Sequence, residues 1–100
     1  MRMMMKVQMD TEAASRAIAD GSMPQLMQET MERLQPEAAY FGPEDGVRTA
    51  YFVFDLNDSS QLPVITEGLW DKVKAKILMF PVMDREGLQT GLGQIAGRGA

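Results

Sequence analysis

The pattern of hydrophobic positions in residues 48–56 is the most strand-like in the chain, because aromatic and β-branched residues dominate this segment. Successive side chains of a strand point to opposite faces, so Tyr51 and Val53 lie on one face and Phe52 and Phe54 on the other. Both faces are apolar in the middle of the segment. We therefore expect a central strand that other parts of the protein cover on both sides.

Alternating apolar and polar residues predict a first strand over residues 2–9. A helix in two parts is predicted next, because apolar residues recur at helical spacing on either side of an Asp-Gly pair. Asp10 or Thr11 can cap the first part. Ser22 and Gln25 have the spacing of a capping box at the start of the second part.

The second half of the chain predicts two further strands and another helix. Residues 37–41 predict a strand that the turn at residues 42–46 joins to the central strand as a hairpin. Capping residues at 57–60 predict a helix, and residues 72–83 predict a fourth strand. Lysines alternate with apolar residues at its start, which is typical of a solvated strand face and less often of a phosphate site. These lysines are Lys72, Lys74 and Lys76.

The last part of the sequence is glycine-rich. Residues 84–92 predict one or two helical turns anchored by Leu88 and Leu92, and residues 97–100 predict a disordered tail. The length of the chain then indicates one domain over residues 1–96.

The order β-α-β-β-α-β is that of the ferredoxin-like α+β fold, whose antiparallel sheet has two helices on one face. The other face stays uncovered, and either Phe52 with Phe54 or Tyr51 with Val53 must lie there. A contiguous exposed apolar patch usually marks an interface. We therefore expect a homodimer in which a twofold-related copy packs sheet against sheet.

Three short motifs point to a known group of proteins. They are Pro-Glu-Ala-Ala-Tyr-Phe at residues 36–41, Asp-Gly-Val-Arg-Thr at 45–49 and Pro-Val-Met at 81–83. With the split first helix, they make the chain resemble the dimeric α+β barrel group, in which two ferredoxin-like subunits form one barrel. More narrowly, the chain resembles small uncharacterised bacterial proteins. Because that group has no established activity, this resemblance implies none for the chain. The wider group includes monooxygenases, isomerases and stress-responsive proteins.

Composition excludes several kinds of site. The chain has no cysteine and no histidine, which excludes disulfides, thiolate metal sites, His-ligated haem, ordinary zinc sites and a serine–histidine triad. We expect no cofactor and no metal. The net charge of −4, from interspersed acids and bases, argues against nucleic acid or an anionic membrane as a partner. The apolar start is too short for a signal peptide or a membrane span, so we expect a cytoplasmic location.

Two charged residues are candidates for chemistry. Asp55, at the end of the central strand, would serve as a general base if burial raised its pKa, although a role with Asn57 and Asp58 in capping the strand–helix connection is favoured. Arg48 is a candidate clamp for an anion or a carboxylate. The favoured alternative for Arg48 is an ion pair at the hairpin end with Glu44 or Asp45.

Three aromatic residues complete the candidate ligand-binding set. Tyr40 and Tyr51 either place their hydroxyls in an internal cavity or belong to the core with hydroxyls reaching its edge. Trp70, the one tryptophan, either covers a pocket or closes the core. The ten methionines have flexible side chains, which mostly fill core gaps and less often line a binding surface.

We interpret the protein first as a small-molecule-binding or structural homodimer, with any ligand in a mostly apolar cavity between sheet and helices. The alternative is a cofactor-free monooxygenase or isomerase acting on an aromatic or quinone-like molecule, with Asp55, Arg48 or a tyrosine assisting. A third interpretation is a regulatory module that binds a partner protein. A perturbed carboxylate inside a sizeable cavity would favour the enzyme.

Overall fold

The structure is a computed structural model that describes residues 1–98. Within this range the chain forms an α+β fold of four antiparallel strands and four α-helices. In chain order the elements are β1 (Arg2–Gln8), α1 (Thr11–Ala19), α2 (Ser22–Leu34), β2 (Ala38–Glu44), β3 (Val47–Asp55), α3 (Leu62–Val73), β4 (Lys76–Pro81) and α4 (Arg85–Arg98). A short 3₁₀ helix at Ser59–Gln61 leads into α3.

The strands form one sheet in the order β2-β3-β1-β4, and neighbouring strands are antiparallel. β3 pairs with β2 on one side and with β1 on the other, which confirms the predicted central strand and the predicted hairpin. Phe52 of β3 lies opposite Met5 of β1 and Ala39 of β2.

One face of the sheet carries the hydrophobic core. Phe52, Phe54 and Met5 point to this face and are almost completely buried. Helices α1, α2 and α3 cover them, and each helix contributes side chains to the same cluster. Complete burial of one such side chain stabilises the fold by about 1.5–3 kcal/mol, so this layer supplies most of the driving force for folding.

The opposite face of the sheet, called the open face below, carries Tyr51 and Val53 of β3. None of the helices α1–α3 packs against it. Two rows of side chains cross it, in the orders Tyr40, Tyr51, Lys6, Leu78 and Ala38, Val53, Met4, Phe80. Tyr40 is 70% exposed, and the large apolar residues of β4 are also partly exposed.

The two parts of the first helix start in different ways. Asp10 caps α1, because its carboxylate accepts a hydrogen bond of 2.9 Å from the Ala13 amide. The capping box predicted from Ser22 and Gln25 is wrong. Gly21 occupies the N-cap of α2 with a positive φ of 82°, a backbone conformation that glycine adopts without strain, and no side chain caps the helix there.

The turn between β2 and β3 is shorter than the predicted turn over residues 42–46. It consists of Asp45 and Gly46, whose positive φ angles of 54° and 79° are typical of a two-residue type I′ turn. The three residues before Asp45 therefore extend β2. Pro43 is tolerated among them because β2 is an edge strand.

The predicted fourth strand over residues 72–83 begins too early. α3 continues to Val73, which is completely buried one helical turn after Leu69. Lys74 then ends the helix in the left-handed region, with a φ of 48°, and β4 begins at Lys76. The three lysines therefore lie on a helix, a cap and a strand, and they do not line one strand face.

The predicted division of the first helix is confirmed by α1 and α2. The number of helices differs from a simple two-helix ferredoxin-like arrangement, because the predicted one or two turns at residues 84–92 belong to a longer helix, α4. α4 contributes to an elongated outline of 61 × 29 × 18 Å. Leu88 and Leu92 are about half-exposed, so the prediction that they anchor the end of the chain is wrong. Residues 97–98 of the predicted tail lie in the last turn of α4, and residues 99–100 lie outside the described range. Within residues 1–98, no helix has the length and hydropathy that a membrane span requires.

Candidate functional site

A cleft of about 410 Å³ opens between helices α1 and α2 and the β2–β3 hairpin. We call it the methionine cleft. Its walls include Met9, Ile18, Met23, Met27, Phe41 and Arg48. The volume lies in the range of roughly 300–1,000 Å³ that is usual for small-molecule sites.

The break between α1 and α2 and the edge position of β2 create this cleft. Ile18 lies near the end of α1, and α2 starts again after Gly21, so Met23 and Met27 line the second wall. Phe41 projects from the edge strand toward the helices, and its ring meets the edge of the Phe52 ring at a centroid distance of 6.0 Å. Ile18 and Phe41 remain 49% and 61% exposed. Large apolar surfaces therefore face solvent inside a concave space.

Arg48 is the charged residue among those described around the methionine cleft. It lies opposite Pro43 in the hairpin, and its Nη1 donates a long hydrogen bond of 3.4 Å to the Ser15 hydroxyl on α1. Within residues 1–98, no carboxylate lies within 4.0 Å of the guanidinium group. The ion pair expected with Glu44 or Asp45 is therefore not present.

Glu44 pairs with other groups, on the open face. Its carboxylate forms an ion pair with Lys6 and accepts a hydrogen bond of 2.7 Å from the Tyr51 hydroxyl. The hydrogen bonds from Lys6 and Tyr51 hold the pKa of Glu44 below its ordinary value. The hydrogen bond to Glu44, together with desolvation, raises the pKa of Tyr51. The Tyr51 hydroxyl is thus a fixed donor at neutral pH.

The two candidate tyrosines lie outside the methionine cleft. Tyr51 and Tyr40 are neighbours on the open face, the side of the sheet opposite to Phe52. Their hydroxyls do not line an enclosed cavity within the single described chain.

Asp55 lies at the end of β3 and is largely exposed. Its carboxylate is 2.7 Å from the amino group of Met1. Of the predicted capping residues, Asp58 caps the short 3₁₀ helix before α3, because its carboxylate accepts a hydrogen bond of 3.3 Å from the Ser60 amide and shares a capping box with Gln61. Asp55 is therefore separate from the methionine cleft.

Trp70 borders a second apolar cleft, also of about 410 Å³, between α3 and β4. Leu62 and Pro63 form one side of this tryptophan cleft, and Ile77 and Met79 form the other. Trp70 is about half-exposed and edges the cleft without closing the core.

The five residues predicted from the sequence as candidate site residues therefore lie in four separate parts of the structure. Of these five, Arg48 alone lines the methionine cleft. The apolar wall residues were not identified from the sequence as ligand-binding residues. The only signal for them in the sequence is the high methionine count. No group of three or more acidic residues within the described chain could hold a metal ion.

Comparisons with known proteins add no family assignment. No protein-family model matches the chain, and no curated protein is significantly similar to it.

Proposed function

We propose that the protein is a homodimer that binds an apolar small molecule in the methionine cleft of each subunit. The observation that supports this function is the cleft itself, a concave space of about 410 Å³ with large apolar side chains exposed to solvent. Covering such surface stabilises a complex by about 25 cal/mol per Å². Methionine side chains adapt their shape to different ligands, which suits Met23 and Met27 to this role.

A binding function is favoured over the enzyme alternative because of the charges in the cleft. Among the residues described around it, none is a carboxylate. The candidate base Asp55 lies elsewhere and is exposed. A cofactor-free monooxygenase or isomerase would need a group in the cleft to accept a proton, so the geometry supports holding a ligand and not transforming it.

The proposed dimer pairs the open faces of two ferredoxin-like subunits, as in an α+β barrel. The open face offers partly exposed apolar side chains in two adjacent rows, and a twofold-related copy presents the same rows in return. Lys6, Glu44 and Tyr51 pair with one another within one subunit, so each of them keeps a hydrogen-bond partner when a second sheet covers them.

The dimer is tested by mass in solution. We expect the wild type to have twice the 11.1 kDa mass of one chain, and Val53→Lys to run as a folded monomer because the lysine would enter the sheet-to-sheet contact. Val64→Lys, an exposed position on α3, is the matched control and should remain dimeric. A wild-type monomer, or a dimer that tolerates Val53→Lys, would disprove this contact. Phe52 and Phe54 are unsuitable for the test because both face the helices.

Ligand binding is tested with Nile red, a neutral apolar dye whose fluorescence rises on leaving water. We expect saturable binding to the wild type and its loss in Ile18→Lys, which places a charge in the cleft at a half-exposed position. Ile95→Lys on α4 makes the same chemical change at an exposed position outside the cleft and should bind normally. Equal binding by both variants would exclude the methionine cleft as the site.

A further inference from the structure

We infer that the ligand of the methionine cleft is a molecule with an apolar body and one carboxylate, and that Arg48 binds the carboxylate. This inference rests on the proposed function, because it assigns the ligand class of the same cleft. Of the residues described around the cleft, only Arg48 carries a charge. A single positive charge in the wall of an otherwise apolar cleft favours a ligand that has one anionic group and an apolar body.

Arg48 has hydrogen-bonding capacity to spare. A guanidinium group has five N–H donors, and Arg48 uses one of them in the long contact with Ser15. Neither Glu44 nor Asp45, the two acidic residues at the hairpin end, lies within 4.0 Å of the Arg48 guanidinium group. Glu44 binds Lys6 and Tyr51, and Glu12 pairs with Arg16 at 3.1 Å.

The placement of Arg48 explains why a carboxylate fits better than a neutral or a cationic end group. Arginine presents two parallel N–H groups that match the two oxygens of a carboxylate. Ser15 stands beside the guanidinium on α1, and its hydroxyl can donate a further hydrogen bond to the same anion. The apolar body then extends along Ile18, Met27 and Phe41. The hydroxyl of Thr49, which also lines the cleft, already donates a hydrogen bond to the Val47 carbonyl.

The same observations disfavour a ligand with a positively charged end group. An ammonium ligand would meet Arg48 as a like charge, and no carboxylate among the described lining residues would compensate it. A neutral alcohol would gain the apolar contacts but only a weaker hydrogen bond. The end group therefore decides the order of affinity.

The experiment compares three ligands with the same eight-carbon chain, octanoate, octan-1-ol and octylammonium, by displacement of Nile red from the full-length protein. We expect octanoate to bind about tenfold more tightly than octan-1-ol, since a charge-assisted pair in a solvent-open cleft contributes at the low end of its usual range. Octylammonium should bind most weakly. Arg48→Gln should remove the preference for octanoate and leave octan-1-ol unchanged, and Arg48→Lys should keep part of it.

Arg16→Gln is the matched control, because Arg16 is an exposed arginine on α1 that pairs with Glu12 and does not line the cleft. It should keep the full preference. If octanoate and octan-1-ol bind equally, or if Arg48→Gln keeps the preference, the inference is wrong while binding in the cleft stands. If no ligand displaces Nile red and Ile18→Lys binds the dye like the wild type, the proposed function itself fails. Unchanged circular dichroism of Arg48→Gln establishes that the variant is folded.

Discussion

Comparing Phe41→Ala with Phe52→Ala distinguishes an aromatic residue that lines the methionine cleft from one that belongs to the hydrophobic core. Phe52 and Phe41 contact each other edge to face, yet Phe52 is completely buried and Phe41 is 61% exposed. Phe52 therefore belongs to the core, and Phe41 belongs mainly to the wall of the methionine cleft. We expect Phe41→Ala to damage ligand binding more than stability, and Phe52→Ala to damage stability.

The magnitude follows from the buried area. A phenylalanine buries about 150–250 Å² when it is covered completely, so the covered two fifths of Phe41 correspond to about 60–100 Å². At about 25 cal/mol per Å², Phe41→Ala should lower the free energy of unfolding by about 2 kcal/mol. Phe52→Ala removes a completely buried ring, for which the cost is about 3–5 kcal/mol.

The assay combines urea unfolding, followed by circular dichroism, with Nile red titration at neutral pH. Phe41→Ala should weaken dye binding by about tenfold, because the exposed part of the ring is lost as a contact surface. An equal loss of stability in the two variants, or unchanged dye binding in Phe41→Ala, would refute the division between wall and core.

Three further changes test other parts of the fold. Asp10→Ala removes the cap of α1 and should lower the free energy of unfolding by about 1 kcal/mol, or the melting temperature by about 4–8 °C; an unchanged melting temperature would contradict the cap. The lowered pKa of Glu44 means that its contribution to stability is complete above the ordinary carboxyl pKa of about 4.3 and is lost as the pH falls through the lowered value. Glu44→Gln should therefore lose less stability than the wild type between pH 6 and pH 3 in urea unfolding, and equal losses would exclude this contribution. Gly91→Ala with Gly93→Ala should raise the helicity of α4 in circular dichroism, since alanine favours a helix by about 1 kcal/mol over glycine and both positions have open space. The melting temperature should not change, and a clear increase would mean that α4 is part of the cooperative core.

Local patterns were sufficient for much of the fold. The aromatic run in β3 predicted a central strand, and its pairing with β2 and β1 confirms this position in the sheet. The predicted cover of its second face stays a prediction. The Asp45–Gly46 pair within the turn allowed the hairpin to be predicted, and Asp10 allowed the start of α1 to be placed. In each of these cases, the residues that predict the structure lie in the same short segment as the residues that form it.

Other features could not be predicted locally, because two patterns in the sequence competed or because residues distant in the chain decided the structure. Val73 fits both a strand alternating with Ala75 and a helix continuing from Leu69, and burial under the helix layer decides for the helix. Arg48 was identifiable as a candidate, but the surroundings that leave it unpaired come from α1, α2 and β2, which meet only in the folded chain. An apolar cavity between sheet and helices was expected from the sequence, but the residues that line the methionine cleft could not be predicted from it.

The methionine methyl groups offer the most direct test of the cleft as a binding site. Nuclear magnetic resonance of protein labelled with ¹³C at these methyl groups would follow each assigned signal during addition of octanoate. We predict saturable shifts for Met23 and Met27 in the cleft walls, and unchanged signals for Met31 and Met83, which lie outside it. Shifts confined to Met79 would place the ligand in the tryptophan cleft, and the absence of any saturable shift at Met23 and Met27 would contradict the account.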